Sequence, residues 1–229
     1  MGACPQDLPL WPDRHKIFRP MKPCVWRAGQ HHPNNFQFSV FFLSDGNNSS
    51  ILNDHCGVLM LYTAAFLLVH IGAFYITGTW RHWKEYYPTV LFAIVGDFSY
   101  NILFNERFLW MYNTLFDHRI ADMVYAFFVF PCATIMFLRY YPKGILKEGL
   151  YILLWTAAYT VIEAISCQID NFCHYGGWNI FWSAGLYFFA FILIRIHHKK
   201  PLVVWPIGLA FAIAMLFIFQ QPFHFSVTQ

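Results

Sequence analysis

After residue 56 the chain consists almost entirely of long apolar runs, and these runs limit its possible folds more than any other feature. Six runs cover residues 57–79, 86–104, 121–141, 148–168, 178–196 and 202–219, with short polar connections between them. About 20 apolar residues in a helix cross the ~30 Å hydrocarbon core of a bilayer. A helix also satisfies its own backbone hydrogen bonds there. The sequence therefore predicts an all-α integral membrane bundle of six transmembrane helices.

The composition agrees with a membrane location. Charged residues make up 12% of the chain and hydrophobic residues 58%, whereas an ordinary soluble domain is about 25% charged. A water-soluble chain of this size would lack the polar surface that it needs. The net charge of +3 is small and forms no basic stripe, so no nucleic-acid partner is expected. The chain is therefore expected to lie in a lipid bilayer.

The first part of the chain has a different character. Six prolines lie within the first 33 residues, and the segment SDGNNSS at 44–50 is polar. The longest apolar stretch in this part, FQFSVFFL, is too short to span a bilayer. We therefore predict that residues 1–55 form a mostly disordered or surface-associated tail and that residues 56–229 form the transmembrane domain.

Lysine and arginine lie mainly on one side of the predicted bundle, which indicates its orientation. The connections after the first, third and fifth helices carry eight of these residues, whereas those after the second and fourth carry only Arg107 and Arg119. Because cytoplasmic loops are enriched in lysine and arginine, both termini are predicted to lie outside the cell. Aromatic residues at the helix ends, such as Trp83 and Trp178, suit the two bilayer interfaces. The eight basic residues are Arg81, Lys84, Arg139, Lys143, Lys147, Arg195, Lys199 and Lys200.

Several polar residues interrupt the apolar runs in the half of the bundle that is predicted to face outward. Asp97 and Asn101 are four residues apart and share one face of the second helix. Asp122 begins the third helix, and Glu163 lies toward the outer end of the fourth. A charge near the bilayer centre costs at least about 2.5 kcal/mol, so these groups are predicted to face the protein interior. Together with His70 in the first helix, they form the candidate polar or ion site.

The candidate site has two interpretations. In the first, Asp97 and Glu163 are hydrogen-bonded to neighbouring helices and specify how the helices pack. In the second, they bind protons, cations or a cationic solute. His70 has the same two alternatives: a packed, hydrogen-bonded residue or a group that relays protons.

Enzyme and cofactor signatures are missing from the sequence. The six cysteines include no CxxC pair, so no metal site and no cofactor are predicted. GxSxG, HExxH, P-loop and Rossmann motifs are also lacking, which makes a membrane-embedded enzyme the most distant hypothesis. An accessory or interaction protein is favoured, with a homo-oligomer or other membrane proteins as partners. A small carrier or channel that uses Asp97 and Glu163 is the alternative.

Several stretches also resemble a known family. They are WRHWKEYYPTVLFAIVGDFSYNILF, ADMVYAFFVFPCATIMFL, YPKGILKEGLYILLWTAAYTVIE, GGWNIFWS and RIHHKKPLVVWPI. In these stretches, across residues 57–220, the chain resembles an uncharacterised family of small multi-spanning membrane proteins from endospore-forming Gram-positive bacteria. The resemblance implies a bacterial plasma-membrane location and carries no known activity, ligand or catalytic residue. Residues 1–55 lie outside it.

Overall fold

The computed structural model of the protein describes residues 49–105, 107–113 and 118–220, with side chains from residue 57 onward. This part of the chain forms six long helices and one small sheet. The prediction for the tail falls largely on residues 1–48, outside the described residues. The helices are α1 (Ser49–Ile76), α2 (Trp83–Leu103), α3 (His118–Arg139), α4 (Ile145–Gln168), α5 (Ile180–Lys199) and α6 (Pro201–Ile218).

Each predicted apolar run corresponds to one helix, and the helix boundaries differ from the runs by a few residues in most cases. The largest difference is at α1, which begins at Ser49, inside the range predicted as tail. Hydropathy marks the part of a helix that suits lipid, and it does not mark where the helix itself begins. A 3₁₀-helix, Thr79–His82, links α1 to α2.

Among the described helices, five are long and apolar enough to cross a membrane: α3 to α6 and the Gly57–Ile76 part of α1. The helix α2, which the sequence predicts as a further span, is not among them. Its 21 residues are sufficient in length, but Asp97, Ser99 and Asn101 make it more polar than the other helices. Length and composition therefore support a membrane protein with five apolar helices, and α2 lies in the same bundle.

The helix α3 occupies the centre of the bundle. Of its most apolar stretch 56% is buried, compared with 11–22% for the other four apolar helices. It contains a π-helical segment, Tyr125–Val129, in the middle of the helix. Pro131 follows this segment, and a proline ring clashes with the carbonyl four residues earlier, here that of Phe127. The wider π turn accommodates this proline within a continuous helix.

The other helices surround α3 with apolar and aromatic side chains. The helices α1 and α2 pack against α3, while α4 pairs with α5 and α6 packs against α5. Phe137, on α3, is fully buried at the centre of the main cluster. The rings in contact with it belong to Tyr141, Tyr151, Trp155 and Phe191.

At one end of the bundle, two connections pair as a short antiparallel sheet that the all-α prediction did not include. Its strands are β1 (Trp110–Tyr112) and β2 (Phe172–His174), with Met111 opposite Cys173. Beyond the strands, the Asn113 N–H donates to the Asn171 carbonyl at 2.8 Å. We call this end the hairpin end and the opposite one the basic end.

The hairpin end is attached to the helices by aromatic residues. The Tyr100 hydroxyl on α2 accepts hydrogen bonds from the backbone N–H groups of Leu109 (3.0 Å) and Trp110 (3.1 Å). The rings of Tyr100 and Trp110 stack at 3.7 Å. Trp178 is only 5% exposed, and its indole N–H donates to Ser183 Oγ at 2.8 Å. The prediction that Trp178 faces a bilayer interface is therefore wrong, because this ring packs inside the hairpin end.

Candidate functional site

The first group of predicted site residues lies between α2 and α3, close to the hairpin end. Asp122, on the first turns of α3, is only 3% exposed. The Asn101 amide nitrogen donates a hydrogen bond to Asp122 Oδ2, and it also donates to the Asp97 backbone oxygen at 3.2 Å. Asn101 therefore connects α2 to α3 through a buried carboxylate.

Asp97 completes this group. Its carboxyl lies within hydrogen-bonding reach of the Asp122 carboxyl. Asp97 Oδ2 is buried and receives no hydrogen bond from any N–H or O–H donor among the described residues. Two ionised carboxylates in contact repel each other, and a proton held between them removes the repulsion and supplies the missing donor. The geometry therefore suits an acid pair that shares a proton.

Glu163 forms a second group with residues that the sequence analysis did not select. It is 5% exposed on α4. Its Oε1 lies 2.6 Å from His174 Nε2 on β2, and its Oε2 accepts a hydrogen bond from the Tyr187 hydroxyl on α5. A single carboxylate thus joins α4, α5 and the small sheet.

Tyr112 lies within electrostatic range of both groups. It belongs to β1 and packs against Tyr125 (ring centroids 4.5 Å apart) and Phe172 (5.1 Å). Burial raises the pKa of Tyr112 well above its ordinary value, and nearby Asp122 and Tyr187 raise it further. Since Asp122 belongs to the first group and Tyr187 to the second, the neutral phenol of Tyr112 stands within electrostatic range of both.

His70 lies apart from the acids. Its Nδ1 is 2.9 Å from the Phe66 carbonyl oxygen, one turn earlier in α1. Its Nε2 is 3.0 Å from the Tyr159 hydroxyl on α4. Both ring nitrogens are thus partnered within the protein, as in a packed, hydrogen-bonded histidine.

The five predicted site residues therefore divide into three places. Asp97, Asn101 and Asp122 are together, while Glu163 and His70 each have partners of their own. Tyr112, His174 and Tyr187 are the members of the site that sequence reasoning missed. Within the described ranges, no group of three or more His, Cys, Asp and Glu side chains is arranged to hold a metal ion.

The two groups around Asp122 and Glu163 can fix helices relative to one another. Their carboxyl, phenol and imidazole side chains can also exchange protons. Comparisons with protein-family models, curated proteins and solved structures find no match to this chain.

Proposed function

We propose that the chain is a six-span accessory or interaction protein of a bacterial plasma membrane, in which buried acids specify how the helices pack. Its partners are further copies of itself or other membrane proteins. The family resemblance of residues 57–220 agrees with this location.

The sixth span of this proposal is α2. It packs against α3 and also contacts α5 and α6, so it lies among the apolar helices. Asn101, on the side of α2 that faces α3, donates a hydrogen bond to Asp122. A helix whose polar groups face other helices needs less apolar character to remain in a bilayer.

The proposed orientation places the basic end in the cytoplasm and the hairpin end outside, with both termini outside. The eight lysine and arginine residues of the basic end support this orientation, because such residues mark cytoplasmic loops. With six spans, an even number, both termini lie on the same side of the membrane.

One observation carries the packing function: buried acids of both groups are hydrogen-bonded across elements. Asp122 accepts from Asn101, which joins α3 to α2. Glu163 accepts from Tyr187, which joins α4 to α5. Hydrogen bonds of this kind in membranes contribute about 0.6 kcal/mol on average, and they select one arrangement of helices over others.

A second function, transport of protons, cations or a cationic solute, is favoured by the succession of titratable side chains. His70 contacts Tyr159 at 3.0 Å, and the rings of Tyr159 and Tyr187 lie 5.8 Å apart. Tyr187 in turn contacts Glu163, and Tyr112 lies within electrostatic range of Tyr187, Asp122 and Asp97. Such a series places proton donors and acceptors one after another through the bundle.

Proton flux into proteoliposomes separates the two functions. Asp97→Asn and Glu163→Gln remove the titratable groups and keep groups that can hydrogen-bond. Glu148→Gln is the matched control, because Glu148 lies in the first turn of α4 at the basic end.

The packing function predicts that wild-type vesicles are no more permeable to protons than empty vesicles. It also predicts that Asp97→Leu and Glu163→Leu lower the yield of monodisperse protein. A wild-type flux that Asp97→Asn and Glu163→Gln abolish at unchanged yield, and that Glu148→Gln retains, would replace the packing function by transport.

A further inference from the structure

The basic end contains a pocket that is separate from the acid residues near the hairpin end. It has a volume of about 410 Å³ and lies between the first turns of α4 and the last turns of α5. Its polar side is lined by Tyr141, Glu148, Arg195, Lys199 and Lys200. Its apolar side is lined by Ile152, Ile192 and Ile196.

Positive charge dominates the polar side of this pocket. Arg195, Lys199 and Lys200 contribute three cations against one carboxylate, that of Glu148. The Glu148 carboxylate already has two donors: the Gly144 N–H, 3.3 Å from Oε1, and the Tyr141 hydroxyl, 3.4 Å from Oε2. Glu148 therefore has donors within the protein, and the net charge of the lining favours an anion.

Arg195 supplies a buried donor for which the described part of the chain offers no acceptor. Its guanidinium carbon lies 4.0 Å from the centre of the Tyr141 ring, which fixes the position of the group. The Arg195 Nε–H is buried and has no hydrogen-bond partner among the described residues. A buried donor without a partner destabilises the protein, because the N–H has lost its hydrogen bonds to water. An anion in the pocket would remove this destabilisation.

We infer that this pocket binds a phosphate group, and specifically the headgroup phosphate of an anionic phospholipid. Arginine matches the geometry of phosphate oxygens with paired N–H donors, and Lys199 and Lys200 add charge at the rim. Ile152, Ile192 and Ile196 offer an apolar wall to an acyl chain, which a free phosphate ion would not use. Basic pockets between transmembrane helices at the level of the headgroups bind anionic lipids.

The test measures lipid binding to the full-length protein, purified in a neutral detergent, by native mass spectrometry and by the shift of its thermal midpoint. The probes are phosphatidylglycerol, phosphatidylcholine and inorganic phosphate. The variants are Arg195→Gln and the pair Lys199→Gln/Lys200→Gln. The side chains of Lys199 and Lys200 are exposed, so the double variant should fold like the wild type. Lys147→Gln is the matched control, since Lys147 is an exposed lysine at the same end that does not line the pocket.

We expect phosphatidylglycerol to bind the wild type and Lys147→Gln at least tenfold more tightly than phosphatidylcholine does. Arg195→Gln and the double lysine variant should each lose most of this preference while remaining folded. Equal binding of the two lipids to the wild type, or full retention of the preference in both variants, would overturn the inference. Inorganic phosphate that binds as tightly as phosphatidylglycerol, with the same dependence on Arg195, would overturn the lipid assignment and leave a site for free phosphate.

Discussion

The Asn101 amide donates a hydrogen bond to the Asp122 carboxylate, and this contact joins α2 to α3 near the hairpin end. Asn101 belongs to the most polar helix of the bundle and Asp122 to the most buried one. The contact therefore explains how α2 can carry polar residues among apolar helices. It adds a specific hydrogen bond to the apolar packing of α2, whose Tyr86, Val90 and Ile94 are buried in the core of the bundle.

Loss of the Glu163 side chain should destabilise the protein more than loss of either single partner. Glu163→Ala leaves both the His174 imidazole and the Tyr187 hydroxyl without their buried acceptor, and we expect a loss of about 1–3 kcal/mol in the free energy of unfolding. Tyr187→Phe removes one hydrogen bond and should cost about 1 kcal/mol. Unfolding in mixed detergent micelles measures both values.

Tyr140→Phe is the control for Tyr187→Phe. Tyr140 is 53% exposed at the basic end, and its hydroxyl donates to the Thr77 carbonyl at 3.3 Å. We expect almost no change in stability from its removal. If Glu163→Ala proves as stable as Tyr140→Phe, Glu163 does not join the helices.

The small sheet predicts a disulfide that can be introduced by one substitution. Met111 and Cys173 are opposite each other in the register of β1 and β2, and directly paired residues in an antiparallel sheet have Cα atoms about 4.5–5.5 Å apart. This separation is compatible with a disulfide. Met111→Cys should therefore form a disulfide with Cys173 on mild oxidation, visible as a mobility change that a reducing agent reverses.

The control for this disulfide is Met111→Cys combined with Cys173→Ser, which should show no such change. A disulfide that persists in the double variant, or none in the single variant, would contradict the pairing of the two connections.

Single cysteines near the two ends of α2 test whether this helix crosses the membrane as the proposed sixth span. Lys84 and Asn105 are exposed residues close to the two ends of this helix. In a variant without the six native cysteines, Asn105→Cys should react with a thiol reagent that cannot enter intact bacteria. Lys84→Cys should react only after the cells are permeabilised. Labelling of both positions from the same side would show that α2 does not cross the membrane.

The positions of the helices could be predicted from sequence because an apolar run of sufficient length is a local property. The predicted run 148–168 and the helix α4 (Ile145–Gln168) nearly coincide for this reason. The strands β1 and β2 could not be predicted, since three residues are too few to show an alternating pattern. The π turn in α3 had one visible signal, Pro131 inside an apolar run.

The candidate site was predictable in part. Asn101 and Asp122 were placed at a similar depth, near the end of α2 and the start of α3, and they do meet. The sequence predicts Glu163 beside them, but Glu163 contacts His174 and Tyr187 instead. Tyr187 lies seven residues after the start of α5 (187 − 180) and Glu163 five residues before the end of α4 (168 − 163). Glu163 and Tyr187 therefore lie at a similar depth in two consecutive antiparallel helices, and their contact could have been predicted from the sequence. The position of His174 could not, because it depends on the small sheet.

A double-mutant cycle on Asn101 and Asp122 tests most directly whether buried acids specify the packing. The free energies of unfolding of the wild type, Asn101→Leu, Asp122→Leu and the double variant give the coupling between the two side chains. The control cycle pairs Asp122→Leu with Ser99→Ala, because the hydrogen bond that Ser99 makes among the described residues stays within α2, to the Val95 carbonyl at 2.7 Å. We predict a coupling of about 0.6–1.7 kcal/mol for Asn101 with Asp122 and none for Ser99 with Asp122. Equal couplings in the two cycles would contradict the proposed role of the acids.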